Sequence, residues 1–293
     1  MSLAQAVQKF PKHSEIATVR RSHGNPAARS GRDAFAAILC VGVLALAAGA
    51  GPPAIAGGCS LEPLGEGHVA EVIDGRNLRL SDGREIRLAG IELAAAGPTK
   101  TARAMALSAI AGGKDVTLRG LDDTPDRYGR QNAFVFLSPS GALVQQQMLA
   151  QGEALVSPDV ADKGCLDLLM TAEAEARIAK KGAWTDPSVI KNAESRDDIL
   201  AGIGRFTVVE GKVLSVRQAG TMTYLNFGRN WTRDFAVAIS RRMIPAAESA
   251  GIAPKSLENR RVRVRGWVEA RPGPRIEIQH VGQIEVLGGD YRE

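Results

Sequence analysis

The chain is poor in histidine, cysteine and aromatic residues. Its 293 residues include 4 His and 3 Cys, and only 4% are aromatic. Beyond residue 56 the only histidines are His68 and His280, neither with a partner at metal-ligand spacing, so a histidine-based zinc site is not predicted. Apolar residues make up 44% of the chain, which disfavours wholesale disorder and allows two domains of ordinary size.

The N-terminal region has the organisation of a signal peptide. Arginines at 20, 21, 29 and 32 precede an apolar run over residues 34–50, and small residues follow up to Ala56. This pattern predicts that residues 1–56 are a leader, cleaved near Ala56, of a periplasmic or extracellular protein without stable membrane insertion. An uncleaved membrane anchor is the alternative, although the run is shorter than the ~20 apolar residues of a spanning helix. Lipidation at Cys59 is disfavoured because no large aliphatic residue precedes it at the usual position.

A strong surplus of charge is also lacking once the leader is set aside. Residues 1–56 carry six basic and two acidic side chains, so the remainder carries 31 basic and 30 acidic ones. A nearly neutral protein has no global attraction for polyanions, and any nucleic-acid binding must come from a local patch.

Two cysteines remain after removal of the leader, which contains Cys40. In an exported protein such a pair is more often bonded than free, so a Cys59–Cys165 disulfide is predicted, with two free thiols as the alternative. The bridge would close a loop of more than a hundred residues.

The order of predicted elements favours an α+β fold. Asp74-Gly75 and Asp82-Gly83 separate strand-like runs and predict two hairpins. Residues 66–186 read as three strands, a helix, two strands and two helices, which predicts a five-stranded barrel with three helices. Residues 187–204 have the composition of a linker. Residues 205–288 read as five strands with a helix after the third, which predicts a second small barrel of the oligonucleotide/oligosaccharide-binding (OB) type.

Arginines and aromatic residues mark the predicted second domain. Alternation places Val262 and Val264 inward and Arg261, Arg263 and Arg265 on one outer face, typical of a nucleic-acid-binding face or of a solvated edge strand. We favour core packing over base stacking for most of the seven aromatic residues, which are Phe206, Tyr224, Phe227, Trp231, Phe235, Trp267 and Tyr291.

Five sequence blocks resemble the staphylococcal nuclease, or thermonuclease-like, domain family, and together they cover residues 66–186. They are residues 72–75 (VIDG), 87–92 (RLAGIE), 126–130 (DRYGR), 148–154 (MLAQGEA) and 173–184. The second domain resembles those appended in some exported bacterial relatives. In active members a calcium ion and two arginines hold the scissile phosphate while a glutamate activates water.

The resemblance assigns roles to single positions. Arg87 and Arg130 match the phosphate-clamping arginines, and Tyr128 stands where an aromatic ring lines the nucleotide site. Glu92 replaces a metal-binding aspartate and is the one metal-ligand candidate.

Two positions depart from the family pattern. Arg76 replaces a metal-binding carboxylate, and Ala95 stands at the general-base position. The sequence therefore predicts a catalytically impaired nuclease fold, without a required cofactor, in which Arg76, Arg87 and Arg130 bind nucleic acid or a nucleotide phosphate. Alternatively, Arg76 is a solvated hairpin residue and Arg87 pairs with Glu92.

Two further functions stay open. One is an active nuclease with a rearranged site, in which Asp122, Asp123 or Glu71 replaces the base. The other is an envelope interaction protein without a nucleic-acid ligand. If the cleft is otherwise intact, Arg76→Asp with Ala95→Glu is predicted to create calcium-dependent cleavage. The sequence does not indicate an oligomeric state.

Overall fold

A computed structural model describes residues 59–288 of the protein. The predicted leader, its cleavage position near Ala56 and the anchor alternative lie outside this range. Within it, no helix has both the length and the apolar character needed to cross a bilayer.

The first half is a closed five-stranded barrel, as predicted. Its strands follow the order β1-β2-β3-β6-β5, with β5 pairing back onto β1 and β3 lying parallel to β6. Three helices accompany the barrel, and two short strands, β4 and β7, pair beside it. The strands are β1 (Glu62–Val72), β2 (Asn77–Leu80), β3 (Glu85–Leu88), β4 (Ile91–Glu92), β5 (Asp115–Gly120), β6 (Arg130–Leu137) and β7 (Leu155–Val156), and the helices are α1 (Lys100–Ala111), α2 (Val144–Ala150) and α3 (Lys163–Ile178).

Hydrogen bonds to side chains stabilise the turns that position the candidate functional site. Between β1 and β2, Asp74 Oδ1 accepts hydrogen bonds from the backbone N–H groups of Arg76 and Asn77, both at 2.8 Å. A Cβ on Gly75 would lie 2.6 Å from Cβ of Arg103, so this turn needs glycine at its tip. Gly129, with φ of 79°, serves the turn before β6.

The second half is an eight-stranded sheet of order β10-β11-β12-β14-β13-β9-β8, with β15 also paired to β13. β9 and β10 are separated only by Val213 and Leu214, so they act as two halves of one bent strand. Counted in that way, the pairing order repeats that of the first barrel, including one parallel pair, β12 with β14. The elements are β8 (Ile190–Asn192), α4 (Arg196–Leu200), β9 (Phe206–Lys212), β10 (Ser215–Ala219), β11 (Met222–Asn226), β12 (Ala236–Ser240), α5 (Ile244–Ser249), β13 (Arg261–Ala270), β14 (Pro274–Ile278) and β15 (Ile284–Val286).

The segment 187–204 is not a free linker, contrary to the prediction. Its strand β8 pairs in parallel with β9, and Ile199 of α4 is fully buried. A small apolar cluster joins the two halves here, since Leu155 and Trp184 pack with Phe206 and other residues of the second sheet. Polar composition concealed this role because short strands and single buried residues leave no periodic pattern.

A disulfide joins Cys59 to Cys165, with 4.4 Å between the Cα atoms and a sequence separation of 106. It links the segment before β1 to the first turn of α3. Asp162 caps that helix by accepting a hydrogen bond from the Cys165 N–H at 2.7 Å. By closing so long a loop, the bridge restricts the unfolded chain and holds the N-terminal strand of the barrel in place.

Candidate functional site

Arg76 is the central residue of the site. Its side chain is 11% exposed, points inward from the β1–β2 turn and donates a hydrogen bond to the carboxylate of Glu92. Its Nε also donates to the Leu88 carbonyl at 3.3 Å. Arg76 is therefore not a solvated hairpin residue, although the pairing of Arg87 with Glu92 that belonged to the same alternative is present.

Glu92 lies between two guanidinium groups. Arg76 occupies Oε2, and Nη2 of Arg87 lies 3.5 Å from Oε1. Asp74 has no free carboxylate oxygen for a metal ion either, because both of its oxygens accept hydrogen bonds within its own turn. Residues 59–288 contain no group of three or more His, Cys, Asp or Glu side chains suited to a metal ion. The residues present do not fit a calcium ion, which needs several free oxygen ligands.

Arg130 is held by a carboxylate four residues earlier. Its Nε and Nη2 donate to Asp126 Oδ2 at 3.0 and 2.7 Å. The Arg130 hydrogen bonds lower the pKa of Asp126 to about 2, so this carboxylate is charged at every physiological pH. The Arg130 guanidinium also lies over the ring of Tyr128, 5.0 Å from its centroid, and that ring is largely exposed.

Arg76, Arg87 and Arg130 form one cluster, which we call the cleft cluster together with Glu92 and Asp126. Burial lowers the pKa of Arg76, the pairing with Glu92 opposes this effect, and repulsion from Arg87 and Arg130 adds to it. A guanidinium stays charged despite such a shift because its ordinary pKa lies far above physiological pH. These five side chains carry three positive and two negative charges, and Asp122 and Asp159 add negative charge to the cavity that Arg76 and Arg87 line.

The general-base position lies elsewhere. Ala95 is exposed and lines a separate cavity of about 230 Å³ beside Arg205 and Thr207. Of the carboxylates considered as substitutes, Asp122 lines the same cavity as Arg76 and Arg87, whereas Glu71 is bound by Arg79. Asp123 does not line the cavity that Arg76 and Arg87 line.

That cavity has a volume of about 510 Å³ and is walled by both halves of the protein. The barrel contributes Arg76, Arg87, Glu92 and Asp126. The second sheet contributes Phe206, Gly266, Trp267, Gln279, His280 and Gln283. The sequence did not predict this second wall, because no sequence pattern indicates which face of the barrel meets the second half.

Arg263 and Arg265 of β13 do not form a nucleic-acid face or a solvated edge, whereas Arg261 is exposed. Arg265 is 0% exposed and donates to Glu173 of α3 at 2.9 Å and to Glu285. Arg263 bonds to Glu285 at 3.0 Å and to Glu210 at 2.7 Å. Val262 and Val264 do point into the core, as the alternation indicated.

The aromatic residues of the second half divide between core and surface. Phe206, Phe227 and Phe235 are buried, whereas the side chains of Trp231 and Trp267 are 66% and 50% exposed. Tyr291 lies outside the described residues. Core packing therefore accounts for the phenylalanines but not for these two tryptophans.

Comparison with known proteins assigns the first half. No curated protein matches the chain. Residues 86–186 match the family model described as Staphylococcal nuclease homologue, a match that begins in β3 and so leaves out the Arg76 turn and the second sheet. With the closed barrel, this match identifies residues 86–186 as part of a staphylococcal nuclease-like domain.

Proposed function

We propose that this protein is an exported, thermonuclease-like protein whose cleft binds a phosphate-bearing ligand, a nucleic-acid strand or nucleotide, without cleaving it. The observation that carries the proposal is the position of Glu92 between Arg76 and Arg87. This arrangement replaces a cation with a guanidinium and keeps one net positive charge in the cleft cluster.

The charge of the cleft cluster suits binding. Arg87 and Arg130 keep side-chain exposures of 23% and 19%, so a ligand can reach their guanidinium groups. Hydrogen bonds from guanidinium to phosphate are charge-assisted and bidentate, which makes arginine well suited to this anion. The same cluster lacks a base, because Ala95 cannot accept a proton and Glu92 is already paired.

Export is part of the proposal. A disulfide persists in an oxidising compartment and is rare in the cytosol. The Cys59–Cys165 bond, together with the leader-like N-terminal sequence, supports a periplasmic or extracellular location.

Binding is tested with a fluorescein-labelled hexathymidylate followed by anisotropy. Arg87→Ala is expected to weaken binding by about tenfold or more, because a charge-assisted hydrogen bond contributes about 1.5–3 kcal/mol. Arg84→Ala is the matched control, since Arg84 lies in the β2–β3 hairpin, is bound by Asp82 and does not line the cleft. Binding that is insensitive to salt, or equally weakened by both variants, would favour an envelope protein without a nucleic-acid ligand.

Cleavage is the second candidate function, and the position of Asp122 in the cleft favours it. Release of acid-soluble nucleotides from DNA and RNA, with calcium and with chelator, separates the two functions. No turnover is expected from the wild-type protein. Metal-dependent turnover that disappears in both Arg130→Ala and Asp122→Asn would overturn the binding-only proposal and identify a rearranged nuclease.

A further inference from the structure

We infer that Trp267, from the second sheet, stacks on a base of a single-stranded nucleic acid whose phosphate contacts Arg87 and Arg130. The inference rests on the proposed function and adds the ligand class and the part played by the second half. In this arrangement the barrel of the first half holds the phosphate and the second half holds the base.

The two halves meet in one cavity. Arg76 and Arg87 line the cleft from the barrel, and Trp267 lines it from β13. Its volume of about 510 Å³ falls within the range of small-ligand sites, about 300–1,000 Å³. A nucleotide unit can therefore reach the cleft cluster with its phosphate while its base lies against the opposite wall.

The Trp267 side chain is presented to the cleft and is not part of the core. Phe206, which is buried, meets the indole edge to face, with ring centroids 6.2 Å apart and planes at 77°. The indole remains half exposed, whereas Trp184 is only 7% exposed. A supported aromatic ring with accessible surface is what base stacking requires.

The position of Trp267 is fixed relative to the arginines. Arg265, two residues earlier on β13, donates to Glu173 of α3 and to the Val156 carbonyl at 3.3 Å. Val156 pairs with Ile91, the neighbour of Glu92. A short and buried path therefore joins the strand of Trp267 to the cleft cluster, so the stacking surface is preorganised.

The remaining charges select a short, unpaired segment. Asp122 and Asp159 also line the cleft, so its lining carries more acidic than basic side chains and disfavours a run of consecutive phosphates. Bases inside a duplex are already stacked and cannot reach an indole without being flipped out. The geometry therefore points to one nucleotide unit of a single strand.

The test compares labelled hexathymidylate with a labelled hexamer of abasic deoxyribose phosphate, which carries the same phosphates without bases. Wild-type protein is expected to bind the base-bearing strand about tenfold more tightly. Trp267→Leu should remove most of that preference while leaving the affinity for the abasic strand unchanged. Trp231→Leu, which alters a more exposed tryptophan outside the cleft lining, should keep the preference. Trp267→Phe retains a ring and should restore part of the preference.

Each other outcome is decisive. If wild-type protein binds both strands equally and Arg87→Ala weakens both, the phosphate-binding function stands and the Trp267 inference is overturned. A preference lost in Trp231→Leu and kept in Trp267→Leu also overturns it. If neither strand binds, both proposals fail. Unchanged thermal unfolding of each variant shows that a lost preference does not come from lost folding.

Discussion

Two arginine clusters with similar burial differ in their charge balance. The junction cluster, which joins the two halves of the protein, alternates in sign along Glu210, Arg263, Glu285, Arg265, Glu173 and Arg177. Every guanidinium there meets a carboxylate, and three positive groups balance three negative ones. The cleft cluster has three guanidinium groups and two carboxylates. Balanced buried charge therefore joins the two halves of the protein, whereas the unpaired charge of the cleft cluster is the one to which the proposed function assigns ligand binding.

The junction cluster should show the largest effect. Arg265→Met is expected to lower the free energy of unfolding by about 3–5 kcal/mol, because it leaves Glu173 buried with only the longer contact to Arg177, at 3.4 Å. Urea unfolding measures this, with Arg261→Met on the same strand as the exposed control. Equal effects of the two substitutions would show that the junction cluster does not hold the halves together.

The next largest effect concerns Glu285 of the junction cluster and the way its contribution to stability depends on pH. Burial alone would raise the pKa of Glu285, but Arg265 and Arg263 lower it. A lowered folded-state pKa gives stability that is present above the unfolded value of about 4.3 and lost as pH falls below it. Glu285→Gln should therefore cost about 1–3 kcal/mol at pH 7 and progressively less towards pH 3. Urea midpoints across this range measure the effect, and a constant difference would contradict it.

The sequence predicted the strands and turns that carry both clusters better than it predicted the side chains that pack around them. Hairpin signals and the order of elements were enough for the five-stranded barrel, because turn chemistry and periodicity are local. Alternation correctly placed Val262 and Val264 inward. It could not predict what covers the opposite face of β13, because Glu173 lies about ninety residues away in the chain. Arg265 is buried because the two halves of the protein pack against each other.

The cleft cluster shows the same division. Motif positions predicted that Arg76, Arg87 and Arg130 act together; in the structure burial, with repulsion from Arg87 and Arg130, lowers the pKa of Arg76. The partner of each guanidinium was harder to predict. Pairing of Arg76 with Glu92 depends on how the β1–β2 turn points into the barrel, which no spacing in the sequence specifies.

Removing one carboxylate from the cleft cluster should strengthen binding. Asp126→Asn keeps a side-chain oxygen for the N–H groups of Tyr128 and Arg130 but removes the charge that competes with phosphate. Affinity for hexathymidylate at pH 7 is expected to rise about three- to tenfold, with a steeper salt dependence. Because the pKa of Asp126 is about 2, the wild-type protein cannot gain this affinity by mild acidification. Weaker binding by the variant would show that Asp126 orients Arg130 for the ligand.

The smallest expected effect is that of restoring the two missing chemical groups. From the sequence, Arg76→Asp with Ala95→Glu should create a calcium-dependent nuclease if the cleft is intact. The structure changes that expectation, because Ala95 lines the cavity of Arg205 and Thr207, whereas Arg76 and Arg87 line another. A glutamate at position 95 would lie near Arg205 and away from a phosphate on Arg87 and Arg130.

The double variant should therefore show no nucleotide release above that of wild type, with or without calcium. Arg76→Asp alone is a useful companion, because it frees Glu92 and places two carboxylates together without any change at position 95. If calcium stabilises that variant against heat while cleavage stays absent, the metal site is recoverable and the base is the missing part. Cleavage by the double variant would mean that the loop after β4 moves position 95 into the cleft when ligand binds. The wild-type cleft would then lack cleavage only because of the side chains at positions 76 and 95.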